Sequence, residues 1–104
     1  MRVAVMGAGS WGSVFSMILA DAGCDVSLWA RSAAVAEDIN STHINHAYQP
    51  DMVLPSSIVA TTNPDQALTG AELVVLAMPA QTLRTNLSAW RLSIPKDAIL
   101  VSLI

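Results

Sequence analysis

Basic residues are scarce in this sequence. Only five lysine and arginine residues occur among its 104 residues, and they are scattered along the chain. Eight acidic residues bring the formal net charge to −3, so no basic stripe is available to neutralise a nucleic-acid backbone. We therefore expect no nucleic-acid partner.

Cysteine is nearly absent, since Cys24 stands alone. A single thiol cannot form an internal disulfide, and no Cys or His residues surround it at the spacing of a metal site. His43 and His46 lie three residues apart in a polar stretch without a third ligand, so we interpret them as surface histidines. The sequence predicts no metal site, and its cysteine usage favours a reducing cytoplasm.

Charge is missing altogether from residues 3–20, which follow Arg2 and precede a small-x-small stretch, Ala20-Asp21-Ala22. That pattern resembles a secretory signal peptide with its cleavage site. Three glycines and three serines interrupt the run, however, and leave neither a compact apolar segment nor a transmembrane helix. Secretion is the minor alternative, and we expect no stable membrane insertion.

Apolar residues, in contrast, make up 53% of the chain, and charged residues only 12%. This length and composition suit one domain with a buried core. Continuous apolar runs, such as Val3 to Met6 and Leu73 to Met78, are typical of strands in a sheet that is covered on both faces.

The most informative stretch is Gly7-Ala8-Gly9-Ser10-Trp11-Gly12, a G-x-G-x-x-G that lies between an apolar run and a helical pattern. In a strand-turn-helix of this kind the backbone receives the pyrophosphate of a dinucleotide. Gly7 permits the sharp turn, Gly9 leaves no side chain between backbone and phosphate, and Gly12 allows the helix to pack closely on the strand. The first amides of the helix, which lack partners within it, point at the anion.

Strand patterns occur at residues 2–6, 25–29, 57–61, 72–78 and 97–104. Helices are predicted from the glycine turn to Ala22, over residues 33–40 after a Ser32 cap, over a short segment from Asn63 or Pro64, and over residues 80–90. Helical spacing places one buried stripe on the first helix, at Val14, Phe15, Ile18, Leu19 and Ala22. Residues 40–55 are polar and are predicted to be mostly loop.

Interleaved strands and helices predict an α/β fold of the Rossmann type, a doubly wound parallel sheet in three α/β/α layers. The ligand crevice of such a sheet lies at the carboxyl ends of its strands. Trp29 and Trp90 are expected in the core, whereas Trp11 lies within the glycine turn and is expected to cover the phosphates.

No acidic residue stands at the end of the second strand, where an NAD-preferring enzyme usually holds the ribose hydroxyls. The stretch there is Leu28-Trp29-Ala30-Arg31-Ser32, and the first acid is Glu37. Arg31 suits the 2′-phosphate of NADP and can also stack on adenine. The alternative is that Arg31 is a solvated loop residue.

With these residues in place, the sequence resembles the N-terminal domain of bacterial-type NAD(P)-dependent glycerol-3-phosphate dehydrogenases. The resemblance covers nearly the whole chain. It rests on residues 5–12, on Leu28-Trp29-Ala30-Arg31, on Asn45, Tyr48-Gln49-Pro50 and Leu54-Pro55 in the segment 40–55, and on residues 75–81.

The resemblance implies that residues 1–104 form an NAD(P)-binding domain, with cofactor contacts at Ser10, Trp11, Arg31 and Tyr48. It also implies hydride transfer between NAD(P)H and dihydroxyacetone phosphate, which supplies glycerol 3-phosphate for phospholipid synthesis. The phosphorylated substrate would be bound by a helical domain that this chain lacks, and none of the 104 residues is expected to be catalytic. A homodimer is left open.

Two alternatives are also open. One is a related dehydrogenase of the 3-hydroxyacyl-CoA dehydrogenase or ketopantoate reductase type, which shares the glycine turn but is not expected to carry the Tyr48-x-Pro50 segment. The other is a module that senses NADP(H) without turning it over.

Overall fold

The computed structural model describes residues 1–103, so Ile104, at the end of the last predicted strand, lies outside the described residues. The elements in chain order are β1 (Arg2–Met6), α1 (Ser10–Asp21), β2 (Asp25–Trp29), α2 (Ala33–Thr42), β3 (Ile44–Asn45), β4 (Gln49–Val53), β5 (Val59–Thr61), α3 (Pro64–Leu68), β6 (Leu73–Leu76), α4 (Ala80–Trp90) and β7 (Ile99–Ser102). The α4 bounds are those predicted, and β5, β6 and β7 are shorter than predicted.

Five strands form one parallel sheet in the order β5-β2-β1-β6-β7. The chain begins at the central β1, proceeds outward through β2 to β5, and then returns to place β6 on the other side of β1. The strand order therefore reverses between β1 and β6, and a crevice opens there at the carboxyl ends of the strands. The predicted doubly wound parallel sheet is confirmed.

Helices cover both faces of the sheet, as the three-layer prediction requires. Val3 and Val5 of β1 pack on the side of α1 and α2, whereas Ala4 and Met6 pack on the side of α3 and α4. This alternation follows from the two-residue period of a strand. Trp29 and Trp90 meet edge to face in the second core, with ring centroids 4.8 Å apart, which confirms their assignment to the core.

Caps bound three of the helices, the predicted Ser32 cap among them. Gly23, with φ of +95°, ends α1 in the left-handed region, where glycine is favoured. The hydroxyl of Ser32 accepts a hydrogen bond from the Val35 N–H at the start of α2, and the Asn63 side chain accepts from two amides of α3.

The predicted buried stripe of α1 is wrong in most of its members. The helix instead buries Gly12, Ser13 and Ser16, whereas Ile18 is 51% exposed. Val14 and Phe15 are half-buried and Ala22 is exposed, so of the stripe only Leu19 packs against the core. The physical reason is the close approach of α1 to β1, since that side of the helix has room only for small residues.

The segment 40–55 is not the predicted loop. After α2 ends at His43, with φ of +62°, β3 and β4 pair in an antiparallel hairpin. The strands are short, one of them contains Pro50, and they pair only with each other. For these reasons the segment lacks the β-branched and alternating pattern by which strands are predicted.

Within residues 1–103 the helices are all too short or too polar to cross a membrane.

Candidate functional site

Two adjoining concavities lie at the carboxyl ends of the central strands. The first, of about 350 Å³, is lined by the glycine turn, by residues 29–32 after β2, by Tyr48 of the hairpin and by residues 77–79 after β6. The second, of about 300 Å³, is lined by Gly9 to Trp11, by residues 77–79 and by Leu103. Because Gly9 and residues 77–79 border both, the two form one elongated cleft across the turn.

The three glycines of the turn differ in the space that would surround a Cβ atom. Gly7 has φ of +130°, and a Cβ built on it would overlap the carbonyl oxygen of Ala77. A Cβ on Gly12 would overlap the carbonyl oxygen of Gly7. A Cβ on Gly9 meets no atom within 4 Å. The fold thus requires glycine at the first and last positions, whereas at Gly9 a side chain would enter only the open cleft.

The start of α1 presents unpaired hydrogen-bond donors. The N–H groups of Ser10, Trp11 and Gly12 have no acceptor among residues 1–103, since the first amide bonded back to the turn is that of Ser13, to the Gly9 oxygen at 3.0 Å. The first turn carries no acidic residue. Unpaired amides and the positive end of the helix dipole together attract an anion.

Arg31 also lines the first concavity, in the loop that follows β2. Its side chain is exposed and has no hydrogen bond or ion pair within residues 1–103. No aspartate or glutamate is found among the described residues that line the cleft. The guanidinium is therefore available to a phosphate or to an aromatic ring.

Six of the seven site residues predicted from the sequence line this cleft, namely Gly7, Gly9, Ser10, Trp11, Arg31 and Tyr48. Gly12 lies behind the turn, against Gly7. Trp11 is 70% exposed, and the Ser10 hydroxyl donates to the Tyr48 carbonyl oxygen at 2.7 Å, which ties the hairpin to the turn. Their contacts with a cofactor stay a prediction.

Three polar residues of this region are not among the site residues predicted from the sequence. Thr82 and Asn86 line the first concavity and lie four residues apart on α4, which begins after Pro79. Residues at this spacing share one face of a helix, so the sequence contained a signal that both face the same side. Asn45 is fully buried, and its Nδ2 donates to the Ala8 carbonyl oxygen at 2.8 Å and to Ser13 Oγ at 2.9 Å. Asn45 is one of the residues on which the family resemblance rests, but a lone asparagine in a polar segment gives no indication of these contacts.

The two histidines lie beside the hairpin. Asp38 of α2 accepts from the His46 backbone N–H at 2.9 Å and from its Nδ1 at 2.9 Å and 3.0 Å. These bonds, the backbone one foremost, hold the pKa of Asp38 below its usual value of 3.8. Among residues 1–103 no three His, Cys, Asp or Glu side chains cluster as metal ligands would.

We expect Asp38 to stabilise the hairpin in a pH-dependent way. Because its pKa is lowered in the folded protein, its contribution is present above the unfolded value of about 3.8 and is lost as the pH falls through the folded value. Asp38→Asn should therefore lower the denaturation midpoint at pH 7, and its difference from the wild type should shrink below pH 3.8.

The matched control is Asp51→Asn, since Asp51 is exposed on β4 and its carboxylate has no hydrogen bond or ion pair within the described residues. If the denaturation midpoints of the wild type and Asp38→Asn differ by the same amount at all pH values, Asp38 does not stabilise the hairpin in a pH-dependent way.

The sheet, the glycine turn and the cleft define a Rossmann-type dinucleotide-binding domain. Residues 2–104 match the family model described as NAD-dependent glycerol-3-phosphate dehydrogenase N-terminus, and the chain belongs to this family. The resemblance inferred from the sequence is thereby confirmed.

The relatives agree with this assignment. The chain is 53% identical over 103 residues to a glycerol-3-phosphate dehydrogenase [NAD(P)+] of Corynebacterium diphtheriae. The aligned region covers 99% of this chain and 31% of that protein. The chain thus spans about a third of the length of the curated relatives it matches.

Solved structures share the fold. A glycerol-3-phosphate dehydrogenase from Coxiella burnetii superposes with a TM-score of 0.90 at 22% identity, over 97% of this chain and 31% of that one. A ketopantoate reductase from Ralstonia eutropha JMP134 gives a TM-score of 0.79 at 27% identity, over 96% of this chain and 33% of that one. Since the fold is common to both kinds of enzyme, it is the family match that separates them.

Proposed function

We propose that this chain is the cofactor-binding part of an sn-glycerol-3-phosphate dehydrogenase [NAD(P)+]. The observation that carries the proposal is the anion site at Gly9, where open space adjoins the unpaired amides at the start of α1. A pyrophosphate fits that space, and the family is described as NAD-dependent.

The cleft suggests an orientation for the dinucleotide. With the pyrophosphate at the turn, the adenosine end reaches Arg31 in the first concavity. The nicotinamide end then lies in the second concavity, against Trp11, Met78 and Leu103. The 2′-phosphate of NADP would pair with the Arg31 guanidinium, and NAD, which lacks this phosphate, would not make that contact.

When bound, the nicotinamide supplies or accepts the hydride. This chain's part is to bind and orient the cofactor, because the described residues that line the cleft include no Asp, Glu, His, Cys or Lys. Tyr48, whose phenol could serve as an acid, borders only the first concavity, where the adenosine end lies, so we infer that the proton that accompanies reduction of a ketone comes from a group outside residues 1–103. This division of labour agrees with a chain that spans 31% of its relative.

The reaction proposed for the whole enzyme is reversible reduction of dihydroxyacetone phosphate to sn-glycerol 3-phosphate, a precursor of phospholipids. The names of the relatives support this substrate. Cys24 is free, as suits a reducing cytoplasm.

The test is NADPH oxidation by the full-length enzyme that contains this domain, with dihydroxyacetone phosphate as substrate and ketopantoate as control. We expect turnover with the triose phosphate alone. Turnover with ketopantoate alone would overturn the substrate assignment. Binding of NADPH without turnover of either compound would support a cofactor-sensing module.

A further inference from the structure

The phosphate turn is held from behind by one buried side chain. Asn45, in β3 of the hairpin, has no exposed surface. Its Nδ2 lies 2.8 Å from the Ala8 carbonyl oxygen and 2.9 Å from Ser13 Oγ. A carbonyl oxygen only accepts, so the atom that faces Ala8 is the amide nitrogen.

The same side chain acts on the next carbonyl of the turn through Ser13. The Ser13 hydroxyl donates to the Gly9 carbonyl oxygen at 2.9 Å, and its hydrogen is thereby used. Ser13 Oγ therefore accepts the second hydrogen of Asn45 Nδ2. Two consecutive carbonyl groups, those of Ala8 and Gly9, are held on the inner side of the turn.

Holding a carbonyl also orients the following amide. All described peptide bonds are trans, and in a trans peptide the C=O and N–H groups point in opposite directions. With the Ala8 and Gly9 oxygens turned inward, the N–H groups of Gly9 and Ser10 are turned toward the cleft. Neither N–H has an acceptor among residues 1–103.

The two ends of the Asn45 amide differ, since the nitrogen is hydrogen-bonded and the oxygen is not. Its Oδ1 is buried without a hydrogen-bond partner in the part of the chain that the structure describes, and such an acceptor is unfavourable. The side chain is thus positioned by its two donor bonds to the turn, while its acceptor is left unused.

We propose that Asn45 is a positioning residue for the anion site, which keeps the N–H groups of Gly9 and Ser10 aimed at the cofactor pyrophosphate. Without it, the Ala8–Gly9 peptide can rotate, since glycine tolerates the resulting backbone angles. A rotated peptide presents the Ala8 carbonyl oxygen to the phosphates and repels them. The hairpin, which sequence patterns did not reveal, is thereby part of the phosphate site.

The inference rests on the proposed function and is tested in the full-length enzyme. For Asn45→Ala we expect the dissociation constants of NADPH and ADP-ribose, which contain the pyrophosphate, to rise about tenfold. Binding of adenosine 2′-phosphate, which lacks it, should be unchanged. The KM for NADPH should rise while kcat stays close to the wild-type value, whereas a loss of folded enzyme alone would lower kcat.

The matched control is Asn40→Ala. Asn40 also bonds the backbone through its amide, to Ala60 N–H and carbonyl oxygen at 2.8 Å each, but it does not line the cleft. This variant should lose stability without any change in the ADP-ribose dissociation constant. If Asn45→Ala does not fold, Asn45→Leu removes the same donors and the unpaired Oδ1 while keeping the number and branching of the side-chain heavy atoms.

The outcomes separate the two proposals. If the wild-type enzyme binds neither NADPH nor ADP-ribose, the proposed function fails. If it binds both and the Asn45 variants bind ADP-ribose equally well, the positioning role is overturned. The positioning role is also overturned if the Asn45 variants bind adenosine 2′-phosphate and ADP-ribose with equally reduced affinity. It is likewise overturned if Asn40→Ala raises the ADP-ribose dissociation constant as much as the Asn45 variants do.

Discussion

Gly9→Ala in the full-length enzyme is expected to weaken NAD(P)H binding about 100-fold and to leave the fold intact. The new methyl group meets no protein atom within 4 Å, and Gly9 has φ of −80°, which alanine adopts without strain. Loss of two hydrogen bonds from backbone N–H groups to a phosphate, at ~1.5 kcal/mol each, makes the binding free energy less favourable by ~3 kcal/mol. The change in unfolding free energy should stay within about 1 kcal/mol, the scale of a helix-cap substitution.

Fluorescence titration with NADPH and denaturant unfolding together check this prediction. The contrasting variant is Gly12→Ala, whose methyl group would overlap the Gly7 carbonyl oxygen. It should lower the unfolding free energy by about 3 kcal/mol, because backbone must shift to admit the methyl group. Undiminished NADPH affinity in Gly9→Ala would show that the pyrophosphate does not bind beside Gly9.

Arg31→Ala is expected to weaken NADPH binding by about 1.5–3 kcal/mol, or roughly 10- to 150-fold, and to spare NADH. The reason is that the unpaired Arg31 guanidinium is available to the 2′-phosphate, which NADH lacks. Dissociation constants for both cofactors, measured at one fixed ionic strength, provide the comparison.

The control for Arg31 is Arg84→Ala, since Arg84 is exposed on α4 and lies outside the cleft. It removes the same charge from the domain and should change neither constant. Equal losses for NADPH and NADH in Arg31→Ala would mean that the guanidinium stacks on adenine. If the affinity for neither cofactor falls, Arg31 is a solvated loop residue without a role in binding.

Local patterns in the sequence were sufficient for the sheet and the turn. The buried strands β1 and β6 contain continuous apolar runs, Val3 to Met6 and Leu73 to Leu76, which are typical of a sheet covered on both faces. Gly7 and Gly12 could be interpreted correctly because their reasons, a positive φ and a close helix–strand contact, belong to a motif of six consecutive residues.

The inner face of α1 could not be derived in this way. Periodicity assigns the core side of a helix to its apolar residues, yet here Ser13 and Ser16 are buried and Ile18 is exposed. The distance between α1 and β1 decides which side faces inward, and that distance is a property of the packed domain rather than of the helix.

What the sequence by itself determined was therefore the class of fold, the family and the position of the glycine turn, because each is indicated by short stretches of neighbouring residues. Only the tertiary structure placed the hairpin behind the turn and brought Asn45 to Ala8, 37 residues away. A contact of that separation leaves no periodic trace in the sequence, because a single buried amide is specified by the three-dimensional surroundings that it joins and not by its neighbours along the chain.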